Sequence, residues 1–356
     1  LLAEQKGEHR FRHELIRMAV YRGLGHHRRQ VLHRRAGKAL EHSRRGDFSA
    51  LAWHLERAGQ LGQAAEYALQ AGRAAKTIFA HVEARAHFDR ALELLREEAA
   101  RLDDPEALAA NRRMRTEAFQ ERGWVLRLLG DMEAYARDLE EVARLVHLLQ
   151  DRRALAHLRW QEAYTHRWFC RYSQARQAAE EGLILSRHGG DRLLEARCWR
   201  EIGLADRETG NYDAAREALE GSLALFADLD EVGYRIHTLG NLATLHWYLD
   251  EYALSMELAQ QALDICDEAG LPLQRRLPLG DLGAAAAAHG DVTLARRCLE
   301  QSLSIAKETA DRTQEILCLL HLGWLAIRQK LPGEALEHLQ AGLELAEKIG
   351  SCTERG

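Results

Sequence analysis

The sequence predicts an all-α fold, a right-handed α-α superhelix of stacked helix pairs preceded by a small helical module. The main observation is a fixed 40-residue period of small residues, at Gly123, Ala163, Gly203, Ala243, Gly283 and Gly323. A constant period of this length is typical of stacked-repeat proteins. A second observation is that the 356 residues include only four prolines, so helices can run with few interruptions.

The first elements are predicted from apolar periodicity. Residues 8–45 show two stripes at helical spacing, one through Phe11 and Leu15 and one through Val31 and Leu32, which predict two helices around a turn at 23–25. Three further helices are predicted at about 49–59, 61–78 and 81–98. Asp104-Pro105 then predicts a helix start, because aspartate caps the free N–H groups and proline suits the first helical position.

The period divides the rest of the chain. We expect a junction module at 1–48, degenerate helical repeats at 49–113 and six 40-residue units at 114–356, each of two helices. The first helix of a unit is expected to end at residues such as Gly130, Gly210, Asp250 and Gly290, which suit a helix C-terminal turn. Residues 351–356 resemble the opening of another unit, so we expect the chain to be a piece of a longer protein, truncated at its C-terminus, rather than a short natural protein.

Composition narrows the function classes. No stretch is long and apolar enough to predict a membrane span. The six cysteines form no C-x-x-C pair, which favours reduced thiols and a cytoplasmic location. The eighteen histidines lack metal-ligand spacing, and no nucleophile, zinc or phosphate-loop motif occurs. We therefore expect neither a catalytic site nor a metal or cofactor.

Charge is unevenly distributed. Residues 1–45 contain twelve Lys or Arg against four Glu, a net charge of +8, whereas the remainder carries −13. The basic stretch 26–45 lacks interleaved aromatics, and its arginines alternate with an apolar stripe. This pattern favours a solvated helix face beside an acidic or nucleotide-binding neighbour over direct binding of nucleic acid.

The repeat itself has a recognisable motif. Gly203, Gly210-Asn211-Tyr212 and Ala215 resemble the tetratricopeptide repeat, and the other units have degenerate versions. The 40-residue unit is similar to the longer-helix variety of bacterial regulators. The resemblance implies a non-catalytic repeat scaffold that binds its partner along a concave groove.

The N-terminal region has a second resemblance. Residues 11–17 (FRHELIR), 28–36 (RRQVLHRRA) and 53–59 (WHLERAG) resemble the junction, in bacterial signal-transduction ATPases, between the winged-helix end of the nucleotide-binding half and the repeat sensor. This group includes large ATP-binding LuxR-type activators and maltotriose-responsive activators. The resemblance implies an upstream ATPase domain as a partner. This chain contains no phosphate-binding loop, so it implies no ATPase activity here.

The tetratricopeptide resemblance also implies which residues bind. In that family the first helix of each unit lines the concave face. The positions of this chain that correspond, with Asn241 added, give the candidate ligand- or partner-binding residues Trp124, Arg127, His157, Trp160, Tyr164, Arg167, Arg197, Arg200, Arg207, His237, Asn241 and Trp247. Aromatic faces and arginine forks suit sugar rings, peptide side chains and anions.

Each group has an alternative role. The tryptophans could pack the seams between units, and the arginines could form an ion-pair ladder with Glu201, Asp206 and Glu208. Two functions therefore remain. One is a sensor module of an ATP-dependent bacterial transcriptional regulator, which binds a peptide, protein or small-molecule effector. The other is a free-standing scaffold for protein–protein interaction.

Overall fold

A computed structural model describes residues 2–5, 8–11, 14–42, 47–78 and 80–349. These residues form seventeen α-helices, one 3₁₀ segment and one short β-hairpin, so the all-α prediction is confirmed. Two compact units, Leu1–Val125 and Leu126–Gly356, are described separately below. None of the helices in the described ranges combines the length and apolar character that a membrane span requires. The predicted further unit at 351–356 lies outside the described residues.

The first unit begins with a hairpin, which corrects one prediction. Strands β1 (Leu2–Gln5) and β2 (Glu8–Phe11) pair antiparallel, with Leu2 opposite Phe11. The helix predicted from residue 8 therefore starts only at Glu14, where α1 (Glu14–Gly23) begins, and α2 (His26–His42) follows. A four-residue strand is too short for its apolar residues to distinguish a strand from the first turn of a helix.

The remaining helices of the first unit agree with the predictions. They are α3 (Phe48–Arg57), α4 (Leu61–Thr77), α5 (His81–Ala99) and the start of α6 (Pro105–Leu128). Asp104 caps α6 as expected, since its Oδ2 accepts a hydrogen bond from the Ala107 N–H at 2.7 Å. Helix α6 runs through residue 113, where the sequence predicted a domain boundary, and the two compact units divide within the same helix.

The second unit is built of helix pairs in the predicted frame. Its helices are α7 (Met132–Leu149), α8 (Arg152–Trp168), α9 (Tyr172–Gly189), α10 (Arg192–Glu208), α11 (Tyr212–Asp228), α12 (Val232–Tyr248), α13 (Tyr252–Glu268), α14 (Arg276–His289), α15 (Val292–Glu308), α16 (Arg312–Arg328) and α17 (Pro332–Ile349). A 3₁₀ segment, Pro272–Arg275, replaces the first turn of α14. The arrangement is a tetratricopeptide-like solenoid.

The turns repeat as strictly as the helices. A residue within two positions of the end of each first helix has a positive φ, including Gly210 (81°) and Asp250 (59°), which were predicted as turn residues. Cys170 (55°) and Lys330 (59°) adopt the same conformation at equivalent positions. The repeat geometry therefore imposes the left-handed turn even where the side chain does not favour it.

The small residues of the 40-residue period allow the two helices of a unit to pack closely. A Cβ on Gly203 would lie 2.7 Å from Leu219 Cγ in the second helix, and the same holds for Gly283 with Leu299. Where the first position is alanine, the facing residue is also alanine, as in the pairs Ala163/Ala179 and Ala243/Ala259, all fully buried. A glycine thus accompanies a leucine in the facing helix, and an alanine accompanies an alanine, so the sizes of the two facing residues are matched to each other.

The first helices form one continuous face. Helix α10 contacts α8 and α12, and α14 contacts α12 and α16, whereas each second helix contacts chiefly the first helices before and after it. First helices are therefore closer together and line the inner side of the second unit. The candidate residues from Arg127 onward lie on α6, α8, α10 and α12.

Candidate functional site

Eight inner-face side chains in the second unit form a closed circuit of contacts, which we call the arginine–aromatic ring: Arg127, Tyr164, Arg167, Glu201, Arg200, Tyr234, Arg197 and Trp160. Six of them were predicted from the sequence, and Glu201 was predicted as an ion-pair partner. Tyr234 was not predicted.

One side of the ring is a stack of arginines on tyrosine. The Arg127 guanidinium carbon lies 4.7 Å from the centre of the Tyr164 ring, and that of Arg167 lies 5.2 Å from it. Arg127 also lies 5.8 Å from the centre of the Trp160 indole. Cation–π attraction of this kind holds a guanidinium over an aromatic face without neutralising its charge.

The opposite side repeats the arrangement one unit further on. Arg197 lies 5.2 Å from the Trp160 ring centre and 4.7 Å from that of Tyr234. Arg200 lies 5.3 Å from the same tyrosine. The indole of Trp160 is only 8% exposed and packs with Ala156, Ala163 and Ile202, so it fills the seam between α8 and α10 while it also orients two arginines.

Glu201 closes the circuit and is completely buried. Its carboxylate accepts a hydrogen bond from Arg167 Nε at 2.9 Å and one from Arg200 Nη2 at 3.2 Å. Burial alone would raise the pKa of this carboxyl, but the two guanidiniums hold the pKa below its usual value. Glu201 is therefore ionised at neutral pH and fixes both arginines.

The predicted ion-pair ladder forms only in part. Glu208 pairs with Arg207 at 2.7 Å, in addition to the Glu201 contacts. Asp206 pairs instead with Arg176 on α9, at 2.9 Å. Arg127 and Arg197 have no carboxylate within 4 Å among the described residues, and the buried Nε atoms of Arg127, Arg197 and Arg200 have no hydrogen-bond partner there.

The other candidates of this unit flank the ring. His157 lies 3.8 Å from Asp191, yet burial is the main influence and lowers its pKa. His237 retains contact with solvent, but loss of hydration on the inner face, and then the positive charges of Arg200 and Arg276, lower its pKa to about 4. Asn241 is half-buried.

Trp247 forms a second aromatic group. Its indole makes edge contacts with Tyr248 at 5.5 Å and His321 at 6.4 Å, and its buried Nε1 has no hydrogen-bond partner in the described part of the chain. Arg207 lies over Tyr248 at 5.8 Å. The inner face thus continues beyond the ring with the same combination of aromatic and arginine side chains.

Trp124 belongs to the first compact unit, at the end of its part of α6. There Lys76 Nζ lies 4.4 Å from the centre of its ring, and His81 contacts it edge-on at 5.7 Å. Its contacts within that unit are thus a lysine and a histidine, not the ring residues.

A column of polar residues on the first helices was not predicted from the sequence, apart from Glu201 and Asn241. It comprises Gln161, Glu201, Asn241, Asp281 and His321, spaced by exactly one repeat. The 40-residue spacing of polar side chains, each two positions before a small residue of the period, was the signal that could have revealed them. Its unusual member is Asp281, since burial raises the pKa of this carboxyl to about 7, while Arg207 opposes the rise.

Asp281 leads to a pH-dependent prediction. Since its pKa is higher in the folded protein than the ordinary 3.8, the folded chain retains a proton that the unfolded chain releases, and stability falls as pH rises from about 4 to 7. Asp281→Asn is expected to remove this loss, so its melting temperature should exceed that of the wild type more at pH 8 than at pH 5. Thermal melts of both proteins across this range test it, and an unchanged difference would contradict it.

No group of three or more His, Cys, Asp or Glu side chains that could hold a metal ion occurs among the described residues. The geometry of the inner face offers hydrogen-bond donors and positive charge. Its arginines are oriented by aromatic faces and by one buried carboxylate, an arrangement suited to binding.

Comparison with known proteins agrees with this architecture. The family model described as tetratricopeptide repeat matches residues 199–268 and 275–348. A curated protein of Rhizobium meliloti, itself uncharacterized, is 39% identical over 88 residues, which are 24% of this chain. The chain spans only 9% of the length of that relative in this match.

Three solved structures are similar in fold. One is NprR in complex with its cognate peptide NprX (TM-score 0.58, 14% identity, 80% of each chain), and another is a Rap protein complexed with Competence and Sporulation Factor (0.56, 11% identity, 83% of this chain and all of that one). The third is a Pyrococcus horikoshii signal-transduction ATPase with numerous domains and a tetratricopeptide repeat sensor (0.53, 14% identity), which covers 98% of this chain and 58% of that protein. At these identities the likeness concerns the fold.

Proposed function

We propose that this chain is a non-catalytic sensor module whose inner face, in the second unit, binds a peptide or small-molecule effector. The arginine–aromatic ring is the observation that carries the proposal. Three arginines there have buried Nε donors without a partner among the described residues, although buried polar groups are normally hydrogen-bonded. These guanidiniums are only partly buried, so an effector on the inner face can offer acceptor oxygens to the part of each that remains accessible.

The regulator context has separate support. The solved signal-transduction ATPase pairs its ATPase with a tetratricopeptide repeat sensor, and NprR was solved with a peptide. Together with the junction resemblance at residues 11–59, this supports an upstream ATPase domain as partner in a bacterial transcriptional regulator. Four of the cysteines are buried free thiols, which suits the cytoplasm. A phosphate-binding loop encoded upstream of Leu1 would distinguish this role from a free-standing scaffold.

The test is to identify and then titrate the effector. Mass spectrometry of molecules released from the purified chain on denaturation should identify a bound compound or peptide, and calorimetry should then measure its affinity. Arg167→Ala and Trp160→Ala are each expected to weaken binding by about tenfold or more, because each removes a contact of the ring. Arg144→Ala, at an exposed position of α7, is the control and should bind like the wild type.

Two measurements keep this test decisive. Circular dichroism and thermal melts identify variants that have lost their fold. Arg207→Gln is added as a milder inner-face variant, because Arg207 is not a member of the arginine–aromatic ring. Unchanged affinity in folded Arg167→Ala and Trp160→Ala would overturn the proposed function.

A further inference from the structure

The ring has an excess of positive charge. Arg127, Arg167, Arg197 and Arg200 contribute four guanidiniums, and Glu201 is the one carboxylate among its eight members. Arg127 and Arg197 lie over aromatic faces, and neither has a carboxylate within 4 Å in the described part of the chain. Both side chains are partly buried, so each guanidinium has lost part of its hydration, which an anionic partner would compensate.

Guanidinium groups already cover the faces of the aromatic side chains in the ring. The faces of Trp160, Tyr164 and Tyr234 each carry guanidiniums on at least one side, at 4.7 to 5.8 Å. They are thus poorly placed to stack on a sugar ring, one of the ligand types that the sequence suggested. What the ring still offers is the N–H edges of its arginines, whose forked geometry matches the oxygen pairs of carboxylates and phosphates.

We propose that the ring binds an anionic oxygen group, a carboxylate or a phosphate, through Arg127, Arg197 and Arg200. The inference rests on the proposed function in so far as this group belongs to the effector. Glu201 and the aromatic faces hold the arginines in place before binding, so little side-chain freedom is lost on association. Because Arg127 and Arg197 lie beside the same indole, Trp160 reports on the site.

The experiment uses the full chain labelled with 5-fluorotryptophan, with the Trp160 resonance assigned by its loss in Trp160→Phe. Sodium phosphate and sodium succinate are titrated at constant ionic strength set with sodium chloride. We expect a saturable shift of the Trp160 fluorine signal with one or both anions and no shift with chloride. The anion with the lower Kd shows whether the site prefers a phosphate or a carboxylate group.

Variants locate the site. Arg127→Gln and Arg197→Gln should each weaken anion binding by about tenfold or more, because each removes a charge-assisted contact. Arg144→Gln, an equal change of charge on α7, should leave it unchanged. Calorimetry with unlabelled protein repeats the measurement in case fluorine perturbs the packed indole.

The outcomes separate the two proposals. No saturable binding of either anion, or binding unaffected by Arg127→Gln and Arg197→Gln, would overturn the anion site. The proposed function fails in a different way. In that case the anions still bind beside Trp160, but the co-purified effector binds the folded inner-face variants as tightly as it binds the wild type.

Discussion

Glu201→Gln is expected to lower the free energy of unfolding of the second unit by about 3 kcal/mol, the lower end for breaking a buried ion pair, because it leaves two partly buried guanidiniums without their counter-charge. Glu201 is fully buried, and both Arg167 and Arg200 donate to it. Glutamine keeps the shape and removes the charge. Urea denaturation of the wild type and the variant at neutral pH measures the loss.

Glu180→Gln is the matched control, since Glu180 pairs with Arg176 on the exposed side of α9 and such a pair contributes about 0–1 kcal/mol. Acid supplies a second check. The pKa of Glu201 is lowered in the folded protein, so its contribution is present above its ordinary value of 4.5 and is lost as pH falls through the folded pKa. Wild type and Glu201→Gln should therefore converge in stability at acid pH. Equal effects of Glu201→Gln and Glu180→Gln would show that the buried pair is screened by solvent.

Gly203→Ala is expected to destabilise the second unit by about 1–3 kcal/mol, the usual cost of overpacking a buried contact. The new methyl group would lie 2.7 Å from Leu219 Cγ and 3.1 Å from the Ala215 carbonyl oxygen, and Leu219 is fully buried. The higher helix propensity of alanine offsets at most about 1 kcal/mol of this cost. Gly221→Ala, in the exposed interior of α11 with no neighbour within 4 Å, should instead stabilise the protein slightly.

The facing residue supplies a rescue experiment. Gly203→Ala with Leu219→Ala reproduces the alanine pair Ala163/Ala179 of the preceding unit. Leu219→Ala alone should cost about 2–5 kcal/mol, because it leaves a cavity. The double variant should be more stable than the sum of the two single losses by about 1 kcal/mol or more. Additive losses would contradict the size pairing.

The repeat frame could be predicted from sequence because it acts through local rules. Small residues at a constant spacing, turn residues after each helix and the Asp104-Pro105 cap each specify their own neighbourhood. The hairpin at Leu2–Phe11 could not, since strand pairing joins two short segments and leaves little periodicity in either.

The sequence predicted which residues lie on the candidate binding face, but it did not predict which of them contact one another. Family positions on the first helices singled out Arg127, Trp160 and Arg197, and both arginines lie beside the Trp160 indole in the structure. Which arginine has a carboxylate partner depends on contacts between neighbouring units, however, and the repeat period does not encode them. Asp206 shows this, because it pairs with α9 rather than with the inner arginines. Tyr234 was missed because other units have no aromatic residue at its position.

Hydroxyl-radical footprinting with and without the co-purified effector tests the binding face most directly, because it reports on side-chain exposure. Binding on the inner face predicts lower oxidation of Tyr164, Tyr248 and Trp247, with Tyr172 and Tyr252 on the second helices unchanged. Protection of Tyr172 or Tyr252 by the effector, with the inner-face residues as reactive as in the free protein, would contradict binding on the inner face.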